Sequence, residues 1–251
     1  MSTQFNISPY NNGVAWKKFD IVNQNGVFYY ATQDIAISAS AKNPTDSVSY
    51  SVSSYSRQDD VATLNFTKSD SYGPFQRGCI VTVSNLVNAT LNYTGMILDG
   101  GANGSSAWIS YVNPGWNQGT TAVGAGQITA KNPEWTTGFL FAPTYSTKIA
   151  SKNQAIITQL GNGYTQRMSN GVNTFQQEVS LTFQNRSSRE ARAVTNFVQD
   201  KMGKDSFEIL LMDPMLNNQP NQKYVAATVD VNPVAYNLYD ISVPVIRVFE
   251  P

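Results

Sequence analysis

Residues 178–203 read EVSLTFQNRSSREARAVTNFVQDKMG, and the hydrophobic period changes within them. Val179, Leu181 and Phe183 recur at every second position, which on a strand puts all three on one face. Ser187 then stands three residues before Glu190, the spacing of a capping box: the serine oxygen accepts the third backbone N–H and the glutamate reaches back. Beyond it Ala191, Val194, Val198 and Met202 recur at helical spacing with Phe197 beside them, and Gly203 is the expected C-cap. The runs FEILLM, KYVAATVDV and YDISVPVIRVF follow as three strands. In KYVAATVDV the expected inward set is Val225, Ala227, Val229 and Val231. With a strand and a turn-rich loop ahead of EVSLTF, this order predicts an antiparallel α+β unit with one helix packed against it.

Working outward, the first half reads as β structure. In FDIVNQNGVFYYAT (19–32) the pair Asn25-Gly26 sits between two strand-like runs. Both central residues of a type I′ turn need positive φ, which suits Asn and Gly. VATLNFT (61–67) alternates Ala62, Leu64 and Phe66 against Val61, Thr63 and Asn65, the pattern of a half-buried strand. FQRGCIVTVSN and ATLNYTGMILDGG add strands, ending in a turn at Asp99-Gly100-Gly101, and SAWISYVNPG closes on Asn113-Pro114-Gly115. Short strands at this spacing predict a small barrel or sandwich. The Gly-rich stretch 115–135 shows little pattern and is expected to be a long loop, either idle or ordering against a partner. Composition changes at FLFAPTYSTKIASK (139–152), which divides the chain into a first domain, 1–140, and a second, 141–251. The fold class is mainly β with one helix.

Composition removes several function classes. Charged residues are 14% of the 251, against about a quarter in typical soluble domains. Net charge is zero, and neither half is a basic arm or an acidic tail, so no general attraction to nucleic acid or anionic membrane is expected. There is no histidine, which removes Ser-His-Asp and Cys-His catalysis and histidine-ligated zinc. The one cysteine, Cys79, lies in the apolar run CIVTV and reads as a buried small hydrophobe. The start, MSTQFNISPYNNG, lacks the basic and apolar regions of a secretory signal, and no apolar run reaches a membrane span. A soluble protein made in the cytoplasm, with no cofactor and no membrane partner, is the expectation. Asp59-Asp60 and Asp99 do not make a glycosidase pair: the first two are adjacent, facing opposite sides of a strand, and Asp99 belongs to a turn. No Asp-rich calcium loop and no phosphate-cradling Lys-Ser/Thr loop occurs. Nothing supplies a tuned acid and base, so an enzyme is not expected.

The stretch QLGNGYTQRMSNGVN (159–173) holds two Asn-Gly pairs. Its Leu160-Gly161-Asn162-Gly163-Tyr164-Thr165-Gln166-Arg167 is similar to the Phe-Gly-Asp/Asn-Gly-Tyr-x-Gln-Arg signature of the minor tail protein M family of long-tailed, non-contractile bacteriophages. Leu160 stands where that signature has Phe. With the second Asn-Gly, the strand EVSLTF, the helix and the closing strands, the resemblance covers roughly residues 145–251. It implies a tail-tube-like β-sandwich with one packed helix, in a structural protein of the siphovirus tail tip. It further implies a hexameric ring at the distal end of the tube, joining the tube protein to the hub or baseplate and surrounding the channel through which DNA passes without sequence-specific contact. Such a chain resides in the virion and assembles in the host cytoplasm. A closing ring needs a contact between two different surfaces. Asn162, Gly163, Tyr164, Gln166 and Arg167 are the candidate interface residues: glycine allows the tight turn, Tyr164 is a large anchor, and Gln166 and Arg167 bond at the rim. The alternative is that Tyr164 packs inside its own domain.

A rival reading rests on aromatics. Trp108, Tyr111, Trp116 and Trp135 lie within a short stretch, and stacking rings serve sugar- or receptor-binding modules. Trp108 and Tyr111 fit core or strand-face positions, which leaves Trp116 and Trp135 as the candidates for exposed recognition.

Overall fold

The computed structural model describes residues 7–38, 42–122, 125–144, 147–153, 155–160, 163–169, 175–210 and 222–250. It is mainly β, with a single α-helix among the described residues. Contacts divide the chain into two compact units, the first running to Phe141 and regaining the chain at Glu208, the second beginning at Ala142 and resuming at Gln222.

The first unit opens with β1 (Ile21–Gln24) and β2 (Val27–Ala31), joined through Asn25 (φ 55) and Gly26 (φ 82), the left-handed pair that a type I′ turn requires. Then come β3 (Ser47–Gln58), β4 (Val61–Thr67), β5 (Ile80–Ser84), β6 (Tyr93–Met96), β7 (Asp99–Asn103), β8 (Ser106–Val112), β9 (Gln118–Ala122), β10 (Gln127–Lys131) and β11 (Trp135–Thr136). Eight of these form one antiparallel sheet in the order β6-β5-β10-β3-β4-β8-β7, with β9 also on β3. The first part of β3 pairs with β10 and the last part with β4, across a register shift between Val52 and Ser54. One long strand thereby serves both halves of the sheet, and a bulge supplies the bend that such a corner needs. Alternation sends Val48, Tyr50, Val52, Leu64, Phe66, Val81, Val83, Ile109 and Ile128 to a single core, where Phe75 sits edge-on to Tyr50 and Phe66. The small sheet β1-β2-β11 has its own cluster of Val22, Ala31, Ile35 and Trp135.

Two expectations change here. The stretch 115–135 is not a patternless loop: it contains β9 and β10, and β10 is an interior strand with Ile128 fully buried. Asp99 starts β7 rather than a turn, its carboxylate accepting the Gly100 N–H (2.8 Å).

The second unit contains β12 (Lys148–Asn153), β13 (Ala155–Gln159), β14 (Thr165–Ser169), β15 (Phe175–Ser187), α1 (Ser188–Lys201), β17 (Lys223–Ala226), β18 (Asp230–Ala235) and β19 (Leu238–Val248), with β16 (Phe207–Glu208) at its boundary. Six strands form a sheet in the order β12-β15-β19-β17-β16, with β18 also on β19. Cross-strand pairs Val179–Val245, Leu181–Val243 and Phe183–Ile241 are buried on one face, and α1 packs over β15, β17 and β19. Ser187 caps the helix, its Oγ accepting the Glu190 N–H (3.4 Å), while the Glu190 carboxylate meets Arg186 (3.3 Å). Ala191, Val194, Phe197 and Val198 are the buried stripe; Met202 is the C-cap, followed by Gly203 with φ +65. α1 is not long and apolar enough to cross a membrane.

The inward set expected in KYVAATVDV is off by one. Tyr224 and Ala226 are buried, Ala227 and Val231 are exposed, and the run breaks into β17 and β18. A slip of one residue exchanges the faces of a strand, and the larger Tyr224 takes the core, its hydroxyl donating to Gln222 (2.8 Å) or Gln177 (3.2 Å).

Candidate functional site

The turn-rich stretch around Tyr164 is the tip of a hairpin. β13 and β14 pair antiparallel as a two-stranded sheet of their own, with Ile156 opposite Met168, Ile157 opposite Arg167 and Thr158 opposite Gln166. Leu160 donates its N–H to the Tyr164 carbonyl (2.7 Å), which carries the ladder one pair further. Gly163 has φ +83, and a Cβ built there meets nothing within 4 Å, so left-handed backbone rather than crowding calls for glycine. Asn162 lies outside the described residues.

Strand geometry sorts the side chains. Opposed residues share a face and faces alternate along the strand, so Ile156, Met168, Thr158, Gln166, Leu160 and Tyr164 stand together. Gln166 Nε2 reaches Met168 Sδ (3.7 Å) on that face. Arg167 stands on the other face beside Ile157, so the structure separates Gln166 from Arg167 rather than joining them at one rim. Every residue of both strands is exposed, with Tyr164 at 73%. Tyr164 therefore does not pack inside its own unit. Ile156, Leu160 and Met168, all about half exposed, extend the apolar face well beyond the tyrosine. Sequence reading passed over Ile156 and Met168, although Ile156-Ile157 is a conspicuous apolar pair in a polar stretch.

A second apolar surface ends the β18–β19 hairpin. Asn237 (φ 60) makes the turn, Tyr236 is fully exposed, and Val234 and Leu238 are exposed close to it.

In the first unit the two candidate tryptophans part company. Trp116 is 92% exposed on a loop held from several sides. Arg57 Nε donates to its carbonyl (2.9 Å), Gly115 N–H reaches Asp60 (3.0 Å), and Asn117 accepts from the Asp59 N–H (3.0 Å). Asp59 and Asp60, both with positive φ, form the tight turn between β3 and β4 and serve this loop, instead of facing opposite sides of a strand. Trp135, expected to be exposed, is 3% exposed: it starts β11 on β2 and packs edge-on against Tyr10 and Trp16. Trp108 lies over Gly101 on the neighbouring strand, and Tyr111 is in the core. Cys79 is buried, with its thiol pushed up to about 12 by desolvation. Among the described residues no group of three or more potential ligands is placed to hold a metal ion.

Residues 137–249 match the family model described as "Phage minor tail protein". No curated protein matches the chain.

Proposed function

From the match of residues 137–249 to the phage minor tail protein family, we propose that the chain forms a ring at the distal end of the tail tube, closing around the DNA channel and connecting the tube to the hub or baseplate. Minor tail proteins are structural parts of the virion tail; the ring, its distal position and its neighbours are the proposal. The observation that carries it is the β13–β14 hairpin. A two-stranded hairpin is marginal by itself in water. This one sets Ile156, Leu160, Tyr164 and Met168 on one exposed face, and among the described residues neither outer edge pairs with another strand. Such a face calls for a partner.

A ring closes through a heterologous contact, one surface against a different one on the next copy. The hairpin face supplies the first, and the Tyr236 end of β18–β19 is the candidate second. Tyr164 serves as the central anchor, Gln166 bonds beside it, and Arg167 lies on the opposite hairpin face, where it meets a different neighbour. Function of this kind needs no catalytic group.

The experiment is native mass spectrometry of the purified chain beside Tyr164→Ala and Leu160→Ser, alone and with the phage's tube protein. Closed oligomers of the native chain that fall apart in both variants support the reading. Equal assembly by all three refutes the hairpin as the contact.

A further inference from the structure

The outer face of the eight-stranded sheet carries a row of hydroxyls. Ser49 of β3 pairs with Thr129 of β10, Thr129 with Thr82 of β5, and Thr82 with Thr94 of β6. All four side chains are exposed and stand on adjacent strands, about 4.8 Å apart from one strand to the next. The row is loosely tied: Thr94 Oγ1 lies 3.3 Å from Thr82 Oγ1, and Thr129 Oγ1 lies 3.4 Å from the Thr82 carbonyl. Much of it floors an open cleft of about 520 Å³. Tyr29 of β2 and Trp135 of β11 line that cleft too, as does the buried Cys79. Tyr29 is half-buried, packed on the Val22, Ala31, Ile35 and Trp135 cluster. The Trp135 indole N–H is buried with no hydrogen-bond partner among the described residues.

We infer that this cleft binds an uncharged carbohydrate. The volume falls in the range of small-ligand sites. Hydroxyls both donate and accept, so a row of them matches the hydroxyls of a sugar in either sense of bonding, and a tyrosine ring offers a surface for the apolar C–H face of a pyranose. Other ligand classes fit less well. The described lining has no carboxylate for a cation, and its one charge, Lys131, already donates to Ser47 Oγ (3.1 Å). One exposed lysine is too little for a phosphate backbone. An apolar ligand would strip water from Ser49, Thr82 and Thr129 and return no hydrogen bond. The inference stands apart from the ring reading, since it concerns residues of the first unit alone.

The test is titration of the full chain with glucose, galactose, mannose, N-acetylglucosamine and their uncharged oligomers, followed by calorimetry and tryptophan fluorescence. Saturable binding of at least one is expected. Thr82→Val combined with Thr129→Val keeps the β-branched shape and removes two hydroxyls, so it should weaken that binding about tenfold or more with an unchanged melting temperature. Trp116→Ala should bind as the native chain does. Absence of binding across the panel overturns the inference. So does binding that survives the double variant, including binding lost instead in Trp116→Ala, which would move the sugar to the exposed indole. A hydroxyl-retaining control, Thr129→Ser, should bind within about threefold of the native chain.

Discussion

Leu160 gives its amide proton to the carbonyl of Tyr164 across 2.7 Å, so the two side chains stand side by side at the end of an exposed apolar face. The same bond fixes the register by which Ile156 and Met168 join them.

Tyr164→Ala should leave the chain folded, because an exposed side chain contributes little to its own unit; the expected change is within about 0.5 kcal/mol. Assembly should suffer, with fewer infectious particles and a shift from oligomer to monomer in light scattering. Tyr236→Ala should give the same phenotype if the β18–β19 end is the opposing surface. Combining the two should add little, since each alone already breaks the one kind of contact a ring uses.

Gly163→Ala forces a Cβ into left-handed backbone, at a cost of about 1–2 kcal/mol, while Gly163→Asn costs less because asparagine tolerates that region. The penalty is local: amide exchange across β13 and β14 should quicken, and the melting of the six-stranded sheet should not move.

Phe183→Ala, at a fully buried position under the helix, should cost about 3–5 kcal/mol in urea unfolding. Ile157→Ala, on the exposed hairpin, should cost within about 0.5 kcal/mol. A comparable loss at both positions would mean that the hairpin is folded into a core.

Stability should fall on the alkaline side. Burial holds the Cys79 thiol at about 12 and raises the phenols of Tyr93 and Tyr111; burial with the Asp70 hydrogen bond does so for Tyr50. The folded chain therefore keeps protons that the unfolded chain releases above about pH 9 to 10. These groups cost nothing at neutral pH, and stability declines as pH rises past that value. Melting temperatures between pH 7 and 11 should show the decline, and native Cys79 should resist iodoacetamide at pH 8 until the chain is unfolded.

What was legible in the sequence was whatever had one buried face. Ala62, Leu64 and Phe66, and again Val179, Leu181 and Phe183, alternate because one side meets a core. Asn25-Gly26 and the Ser187 cap are local chemistry and needed no tertiary information. The failures have physical reasons. In KYVAATVDV both alternating sets are apolar, so register depended on which partner, Tyr224 or Val225, met the helix. β9 (QGTTA) and β10 (QITAK) hold one large hydrophobe between them, Ile128, and pairing with β3, and for β10 also with β5, makes them strands. β13 and β14 have no buried face, so they carry no alternation to find. Trp135 looked like a loop residue because its partners, Tyr10 and Trp16, lie far away in sequence.

A closed ring in the tail fixes the copy number of this chain in purified virions. Quantitative mass spectrometry scaled to the tube protein should return about six copies per tail, or another small multiple of three, the stoichiometry of the proposed ring. One copy per tail, or none, would contradict the ring.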